Sequence, residues 1–495
     1  MHYFTFSNKD ATLYQVSSSL NSGQDEILEV RKDVNDTGTQ VNVSRILLKF
    51  DLTTISESIS AGLIPDSGSK AAKYYLNLYD AKPTDLVTSQ SLYVYPVSQS
   101  WVMGDGHVHD NPIITEGTSW NFKDGITAGT LWTPTVSASG GAWYQNTPSG
   151  SLDFITGSTG IFGTSSADEV QITVGGTEYN FIATSSVSTP DDASPTFYFA
   201  TGSTTSEFGS NLITEINNAD IGISASFSGS KTLQLTGSGI QAAGLTDISV
   251  DTGSSGTYSD ILTLSGGGVP GIYQASQSFT HRSEDFRVEV TEIVKAWLSG
   301  SIPNEGFMIK RRGNVGNNDT NADEGSSEKF GNFSFFSSDT HTKYPPTLET
   351  VWDDSSWHIG SLQPITGSDI EDMTVYMKGL RPEYNQKSKA RFRVIGRTRF
   401  PAKTYSTTPS NLSIKSLPSS SFYSIIDAET NEVIVPYGTG SKLSCDSDGN
   451  YFQLWLDGYQ PERYYKIEYR VQSGSGTTDE LDQYFDEGFT FKVTL

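Results

Sequence analysis

Residues 286–310 read FRVEVTEIVKAWLSGSIPNEGFMIK and contain the clearest change of hydrophobic period in the chain. Apolar and polar residues alternate over residues 286–290, which predicts a half-buried strand. Apolar residues then recur at helical spacing over residues 293–298, which predicts a short helix. Thr291 can cap this helix, and Gly300 can end it. A second strand is expected over residues 307–309, so the segment predicts a helix lying across the end of a sheet.

The same segment resembles the late signature of the DNRLRE-type domains, a family of jelly-roll β-sandwiches that overlaps with one class of carbohydrate-binding modules. Residues 289–300 match its pattern D/E-V-T-x-x-V-x-x-W-x-x-G, and residues 304–310 match N-x-G-F-x-I-K. Residues 44–52, SRILLKFDL, are similar to the family strand S-R-x-L-L-x-F-D-L, and residues 332–338 and 344–351 resemble its ending. The resemblance implies a jelly-roll β-sandwich made of residues 1–150 and 272–353.

Two expectations concern side chains within this sandwich. In residues 44–52, Ile46, Leu48 and Phe50 point one way and Arg45, Leu47 and Lys49 the other, which predicts a central strand with one buried face. The tryptophans at positions 101, 120 and 143 resemble landmarks of the family, and their expected role is packing in the core.

Residues 151–271 have no counterpart in the family pattern and are rich in Gly, Ser and Thr. Strand patterns over residues 170–174, 178–182, 223–227 and 232–235 surround a helical pattern at 210–217. We expect a small α+β domain inserted into the sandwich. It is similar, more loosely, to hairpin–helix–hairpin modules inserted in proteins of tailed-phage particles.

Residues 358–495 carry short alternating strands at the spacing of a second, Ig-like β-sandwich. Arg391, Arg393, Arg397 and Arg399 form a basic ladder there in an otherwise acidic chain. Alternation places Arg391 and Arg393 on the face opposite Phe392. The ladder is either an ordinary solvent face or a docking edge for an acidic neighbour in an assembly.

Composition narrows the classes of partner. The 495 residues carry a formal net charge of −24, which disfavours nucleic acid and anionic membranes as partners because both require clustered Lys and Arg. No apolar run approaches the length of a membrane span, and the start of the chain lacks the pattern of a signal peptide. The single cysteine, Cys445, excludes an intrachain disulfide.

Two patterns contain residue types that bind metals but lack a complete set of ligands. His107 and His109 lie among aspartates, but no third ligand is identifiable, so an exposed polar loop is expected. Asp319, Asn321 and Asp323 have calcium-loop spacing, yet Glu324 stands where glycine is needed and Phe330 where an acidic ligand is needed. The sequence also contains none of the common catalytic motifs, and we expect neither a cofactor nor an enzyme.

Two functions remain open. The first is a non-enzymatic structural protein of a tailed-bacteriophage virion, in the neck, tail or baseplate or as capsid decoration, assembled in the host cytoplasm with other virion proteins and with copies of itself. The second is a carbohydrate-binding or adhesive module that recognises a polysaccharide. For the second, Tyr74, Tyr93 and Tyr95 could stack on sugar rings, although packing between strands is the stronger expectation.

Overall fold

The structure is a computed structural model of the chain. It describes residues 1–34, 40–84, 86, 89–133, 140–145, 149–153, 169–174, 177–184, 195–200, 205–219, 223–228, 232–237, 241–242, 249–251, 262–263, 275–280, 284–312, 323–365, 370–401, 405, 413–473 and 481–495.

The first part of the chain contains β1 (His2–Tyr14), β2 (Ile27–Val34), β3 (Gln40–Phe50), α1 (Thr53–Ser60), β4 (Lys73–Leu78), β5 (Ser89–Pro96) and α2 (Gly125–Ala128). Next come β6 (Tyr144–Gln145), β7 (Ser149–Asp153), β8 (Glu169–Val174), β9 (Thr177–Thr184), β10 (Thr196–Ala200), α3 (Thr205–Asn218), β11 (Ile223–Ser228), β12 (Thr232–Gly237), β13 (Gln241–Ala242), β14 (Ser249–Asp251) and β15 (Leu262–Thr263). Residues 286–310 and the segments around them contain β16 (Ala275–Thr280), β17 (Phe286–Glu289), α4 (Thr291–Leu298), β18 (Phe307–Lys310), β19 (Gly331–Phe336) and β20 (Thr347–Val351).

The last part of the chain contains β21 (Gln363–Pro364), β22 (Met373–Lys378), β23 (Glu383–Asn385), β24 (Lys389–Thr398), β25 (Lys415–Ser416), β26 (Ser421–Asp427), β27 (Val433–Val435), β28 (Ser444–Asp446), β29 (Gly449–Trp455), β30 (Arg463–Ser473) and β31 (Leu481–Thr494). Short 3-10 helices occupy Thr439–Ser441 and Leu456–Gly458.

The first sandwich is built around β1, which belongs to two layers. Residues 2–6 pair with β20, and residues 7–14 pair with β3 after an irregularity between Ser7 and Lys9. One layer continues through β20, β4 and β17, and the other through β3, β18, β5 and β16. Strands that bend from one sheet into another in this way close the corners of sandwiches. The mainly β, jelly-roll-like sandwich predicted from the sequence is confirmed.

The strand–helix–strand prediction for the opening segment is also confirmed. Trp297 packs against Phe307 with ring centroids 4.6 Å apart, so α4 lies on the main core. Gly300 follows the helix at a φ of +76°. The prediction that Thr291 caps the helix is wrong, because its hydroxyl accepts a hydrogen bond from the Tyr74 amide at 3.0 Å and donates to Glu289. Thr291 therefore fastens α4 to β4.

The single buried face predicted for β3 is also wrong, because both of its faces are buried. Ile46, Leu48 and Phe50 belong to the main core, as expected. Leu47, on the other face, packs into a second core cluster with Trp101, Trp120, Trp132 and Trp143. A long connection between β5 and β6 supplies these tryptophans, so the expected core role of positions 101, 120 and 143 is confirmed.

Residues 144–263 form sheets of their own in the order β10-β9-β8-β14-β15, β11-β12-β7 and β13-β6. The predicted α+β composition is present, with α3 beginning at Thr205 rather than at position 210. β9 and β10 pair in parallel, so the unit is more than two hairpins around a helix. The expected limits of the insertion at residues 151 and 271 remain predictions.

The second sandwich has two sheets, with the orders β21-β25-β24-β29-β28, to which β22 adds through β24, and β23-β31-β30-β26-β27. The start of β1 joins it to the first sandwich. Tyr3 belongs to the core of the first sandwich and Phe4 to the core of the second. The Met1 amino group donates to the Trp352 carbonyl at 2.6 Å. Because alternate residues of one strand enter opposite cores, the two sandwiches share a continuous junction.

Candidate functional site

The predicted basic ladder lies on β24, which pairs with β22 on one side and with β29 on the other. Residues 393 and 394 therefore lie between two strands, whereas residues 389–392, which include Arg391, pair with β29 alone. The docking edge for an acidic neighbour remains a prediction. Phe392 and Val394 point into the core and are 1% and 0% exposed. Arg391 and Arg393 lie on the opposite face, as the alternation predicts.

Cationic side chains on this face lie over aromatic rings of β29. The Arg391 guanidinium carbon lies 4.6 Å from the Tyr451 ring centroid, and that of Arg393 lies 5.3 Å from it. The Lys389 ammonium lies 4.9 Å from the Trp455 ring. Such contacts hold a cation in place without neutralising its charge.

The two arginines differ in their remaining partners. Arg393 donates to the Asp446 carboxylate and, at 3.2 Å, to the Gly449 carbonyl. The hydrogen bond from Arg393 lowers the pKa of Asp446 below its usual range. Arg391 is exposed, and no carboxylate pairs with it in the described part of the chain. Arg393 is therefore a supporting residue, while Arg391 presents its charge to solvent.

The other two arginines are separated from this pair. Ile395, which follows Arg393 on the same face, is 0% exposed, and a side chain at Gly449 would press against it. Arg397 donates to the carbonyl of Thr398 at 3.3 Å, and Arg399 lies beyond the end of the strand. The four arginines do not form one continuous ladder.

Cross-strand register adds a lysine that the sequence prediction missed. Lys378 of β22 pairs with Arg393 and is exposed. Lys389 was also missed, although it has the same parity as Arg391 and could have been found by extending the alternation. The position of Tyr451 depends on a pairing between distant segments, for which the sequence carries no local signal. We call Lys378, Lys389, Arg391 and Arg393 the basic face.

The histidine pair lies at a cleft of about 640 Å³ between β2 and the loop that follows β5. His107 is 49% exposed and its Nδ1 lies 3.7 Å from Asp110. Asp25 accepts a hydrogen bond from the Val108 amide, and burial raises its pKa to about 6. Among the described residues, no group of three His, Cys, Asp or Glu side chains has the geometry to hold a metal ion. Asp319 and Asn321 of the incomplete calcium pattern lie outside the described residues.

Glu324, from the same calcium-like pattern, occupies the centre of a buried charge cluster. It accepts two hydrogen bonds from Arg45, at 3.1 and 2.6 Å, and pairs with Lys310 at 3.3 Å. Burial lowers the pKa of Lys310 to about 8, while Glu324 opposes this effect. The Arg45 guanidinium also lies 5.0 Å from the Trp143 ring. Because this cluster is closed to solvent, we assign it a structural role.

The tyrosines considered for sugar stacking belong to the fold. Tyr74 is 1% exposed in the main core, and Tyr95 is 8% exposed in the tryptophan cluster. Tyr93 is partly buried and packs against the same cluster as Tyr95. The expectation that they pack between strands is confirmed for Tyr74 and Tyr95.

Comparisons of this chain with family models, curated proteins and solved structures found no match. No helix among the described residues is long and apolar enough to cross a membrane.

Proposed function

We propose that this chain is a non-enzymatic structural protein of a tailed-bacteriophage virion that acts through protein–protein contacts. The basic face on the second sandwich carries the proposal. It is a sheet surface with an exposed, ring-stacked Arg391 in a chain whose net charge is −24. Placement in a phage particle is supported by the resemblance of residues 44–52 and 286–310 to jelly-roll surface domains and by the looser sequence resemblance of residues 151–271 to modules inserted in proteins of tailed-phage particles.

The partner in this proposal presents an acidic surface. Opposite charges on two surfaces accelerate encounter and fix orientation. A second copy of the chain can be this partner, because every copy has 57 acidic side chains and only 33 basic ones. Assembly through the basic face would then weaken as salt screens the attraction.

Charge reversal at Arg391 tests the proposal. Arg391→Glu is compared with Lys82→Glu, which makes the same charge change at an exposed position between β4 and β5. Mass photometry at low and physiological salt is expected to show oligomers of the wild type and of Lys82→Glu, and monomers of Arg391→Glu. Equal assembly of both variants, or a wild type that is monomeric at all salt concentrations, would contradict the proposal.

A further inference from the structure

One edge of β24 is open over residues 389–392. β22 pairs with residues 393–398 of this strand and ends at Lys378, which lies opposite Arg393. Residues 389–392 pair with β29 on their other side, and no strand in the described part of the chain pairs with them on the side of β22. The chain leaves the sheet at Gly379, where a side chain would meet no atom within 4 Å of its Cβ. β22 therefore ends beside open space.

Two hydrogen bonds show which backbone groups of β24 face that side. The Leu456 amide donates to the Ser388 carbonyl at 3.0 Å, and the Arg399 amide donates to the Asp372 carbonyl at 2.6 Å. In an antiparallel ladder, the N–H and C=O of one residue point to the same neighbouring strand, and the direction alternates from residue to residue. Even-numbered residues of β24 therefore bond to β29, and odd-numbered residues direct both groups to the opposite side.

Lys389 and Arg391 consequently bring unused backbone donors and acceptors to the open edge. Arg393 and the later odd-numbered residues are paired with β22, but neither Lys389 nor Arg391 has a backbone hydrogen bond on that side among the described residues. Both residues are exposed. An exposed row of N–H and C=O groups is a template for a strand from another chain.

The side chains at this edge define the chemistry of the strand that would be added. Residues opposite each other in an antiparallel pair lie on the same face, and opposite charges there stabilise the pair. Two residues that stand two positions apart in the added strand would face Lys389 and Arg391. The residue between them would lie opposite Ala390, which is buried on the same face as Phe392. Phe392 packs against Tyr384 with ring centroids 5.0 Å apart, so this side of the edge is apolar.

The two cations at the edge are held in place but not neutralised. Arg391 lies over the Tyr451 ring and Lys389 over the Trp455 ring. In the part of the chain that the structure describes, no carboxylate forms an ion pair with either cation. Both charges are therefore available to carboxylates of a partner.

We propose, building on the function proposed above, that this edge of β24 binds an extended segment of the neighbouring protein by strand addition. The segment carries two carboxylates that stand two positions apart, with an apolar residue between them. Its backbone pairs with the N–H and C=O groups of Lys389 and Arg391, and the two cations select its charges. Four residues of edge bind one segment weakly, but many copies in an assembly multiply the effect.

Hydrogen–deuterium exchange of the full chain tests this pairing, under conditions in which mass photometry shows monomers. The first probe is the peptide acetyl-Thr-Asp-Val-Glu-Val-Thr-amide. At about 1 mM it is expected to slow exchange of the Lys389 and Arg391 amides about fivefold, as for a Kd of about 0.2 mM. The second probe is the same peptide with N-methyl groups on the backbone nitrogens of its Asp and Glu. It keeps both charges but lacks the N–H groups that would meet the edge, so it should slow exchange less than about twofold.

Charge selection is tested with Arg391→Glu, for which Lys82→Glu is again the matched control. The first peptide should no longer protect the edge in Arg391→Glu but should protect it fully in Lys82→Glu. The proposal is overturned if the first peptide gives no protection in the wild type, if both peptides protect equally, or if the two variants behave alike. Mass photometry without peptide measures assembly separately, so failure of strand addition is distinguishable from failure of docking through the basic face.

Discussion

Glu324 is the only carboxylate in contact with both Arg45 and Lys310 among the described residues, and all three side chains are no more than 2% exposed. Removing one member of a buried ion cluster leaves an uncompensated charge, which is more costly than losing a surface pair. The cluster joins β3, β18 and the segment before β19. We infer that it fixes that segment against the sandwich.

Glu324→Gln keeps the shape of the side chain and removes its charge. The substitution is expected to lower the free energy of unfolding by about 3–5 kcal/mol. Glu305→Gln is the control, because Glu305 and Lys49 pair at 2.9 Å while 20% and 25% exposed. This control should cost less than about 1 kcal/mol. Urea unfolding measures both values, and similar costs would contradict a structural role for the cluster.

The sequence offered no route to this cluster. Arg45 and Glu324 are 279 positions apart, and their meeting depends on the pairing of strands from both ends of the sandwich. Local spacing placed Glu324 in a calcium-like pattern and could only reject that pattern. By contrast, the inward position of Phe392 and the outward position of Arg391 follow from a period of two and were predictable.

The turn before β18 shows how an element is set in place by one backbone contact. Gly306 has a φ of +93°, and a side chain there would collide with the carbonyl oxygen of Leu48. Its own carbonyl accepts a hydrogen bond from the Val97 amide at 2.8 Å. Gly300, at the end of α4, also has positive φ, but a side chain there would meet no other atom within 4 Å of its Cβ.

Gly306→Ala is therefore expected to cost about 3 kcal/mol of stability, since it adds a backbone clash to the strain of positive φ. Gly300→Ala carries only the conformational strain and should cost about 1 kcal/mol. Thermal or urea unfolding of both variants provides the comparison. If the two substitutions cost the same, close packing of the turn against β3 is not what positions β18.

The sequence predicted single strands and helices better than it predicted the contacts between them. The periods of β17 and α4 are local properties, and both elements formed where they were predicted. The role of Thr291 could not be predicted, because its partner is the amide of Tyr74, 217 residues away. The second buried face of β3 was missed for a similar reason, since the covering tryptophans come from a long connection without regular period.

At the scale of the whole molecule, the two sandwiches meet through charges as well as through β1. Asp427 of the second sandwich pairs with Arg463 at 2.7 Å and with Lys343 of the first at 3.3 Å. Burial alone would raise the pKa of Asp427, but amide hydrogen bonds from Thr430 and Glu429 together with Arg463 hold it at about 2. The ionised carboxylate is therefore favoured by the folded state.

Asp427→Asn should destabilise the junction by about 1–3 kcal/mol at pH 7. Because the pKa of Asp427 is lower in the folded than in the unfolded chain, its contribution is complete above about pH 4 and disappears as the pH falls through about 2. The difference in unfolding free energy between wild type and variant should shrink over that interval. Asp486→Asn, at a pair whose carboxylate is 55% exposed, is the control. A difference that is independent of pH would contradict this assignment.

The shared junction was outside the reach of sequence analysis, which separated residues 272–353 and 358–495 into two sandwiches and predicted nothing about the contact between them. Tyr3 and Phe4 are neighbours in the sequence, so a strand places their side chains on opposite faces of β1. That each face is covered by a different sandwich depends on the tertiary structure and could not be predicted. The basic face was found in part, because its arginines alternate on one strand. Lys378 and the aromatic partners lie on other strands and could not be found in this way, whereas Lys389 lies on β24 itself.

The most direct measurement of the central claim is electron cryomicroscopy of the assembled protein, as purified and in the particles with which it copurifies. We expect ordered copies whose contacts bury more than about 1,000 Å², with Arg391 of the basic face against a carboxylate of the neighbouring protein. A protein that remains monomeric, enters no particle and is retarded in a polysaccharide gel would contradict it and favour the carbohydrate-binding function instead.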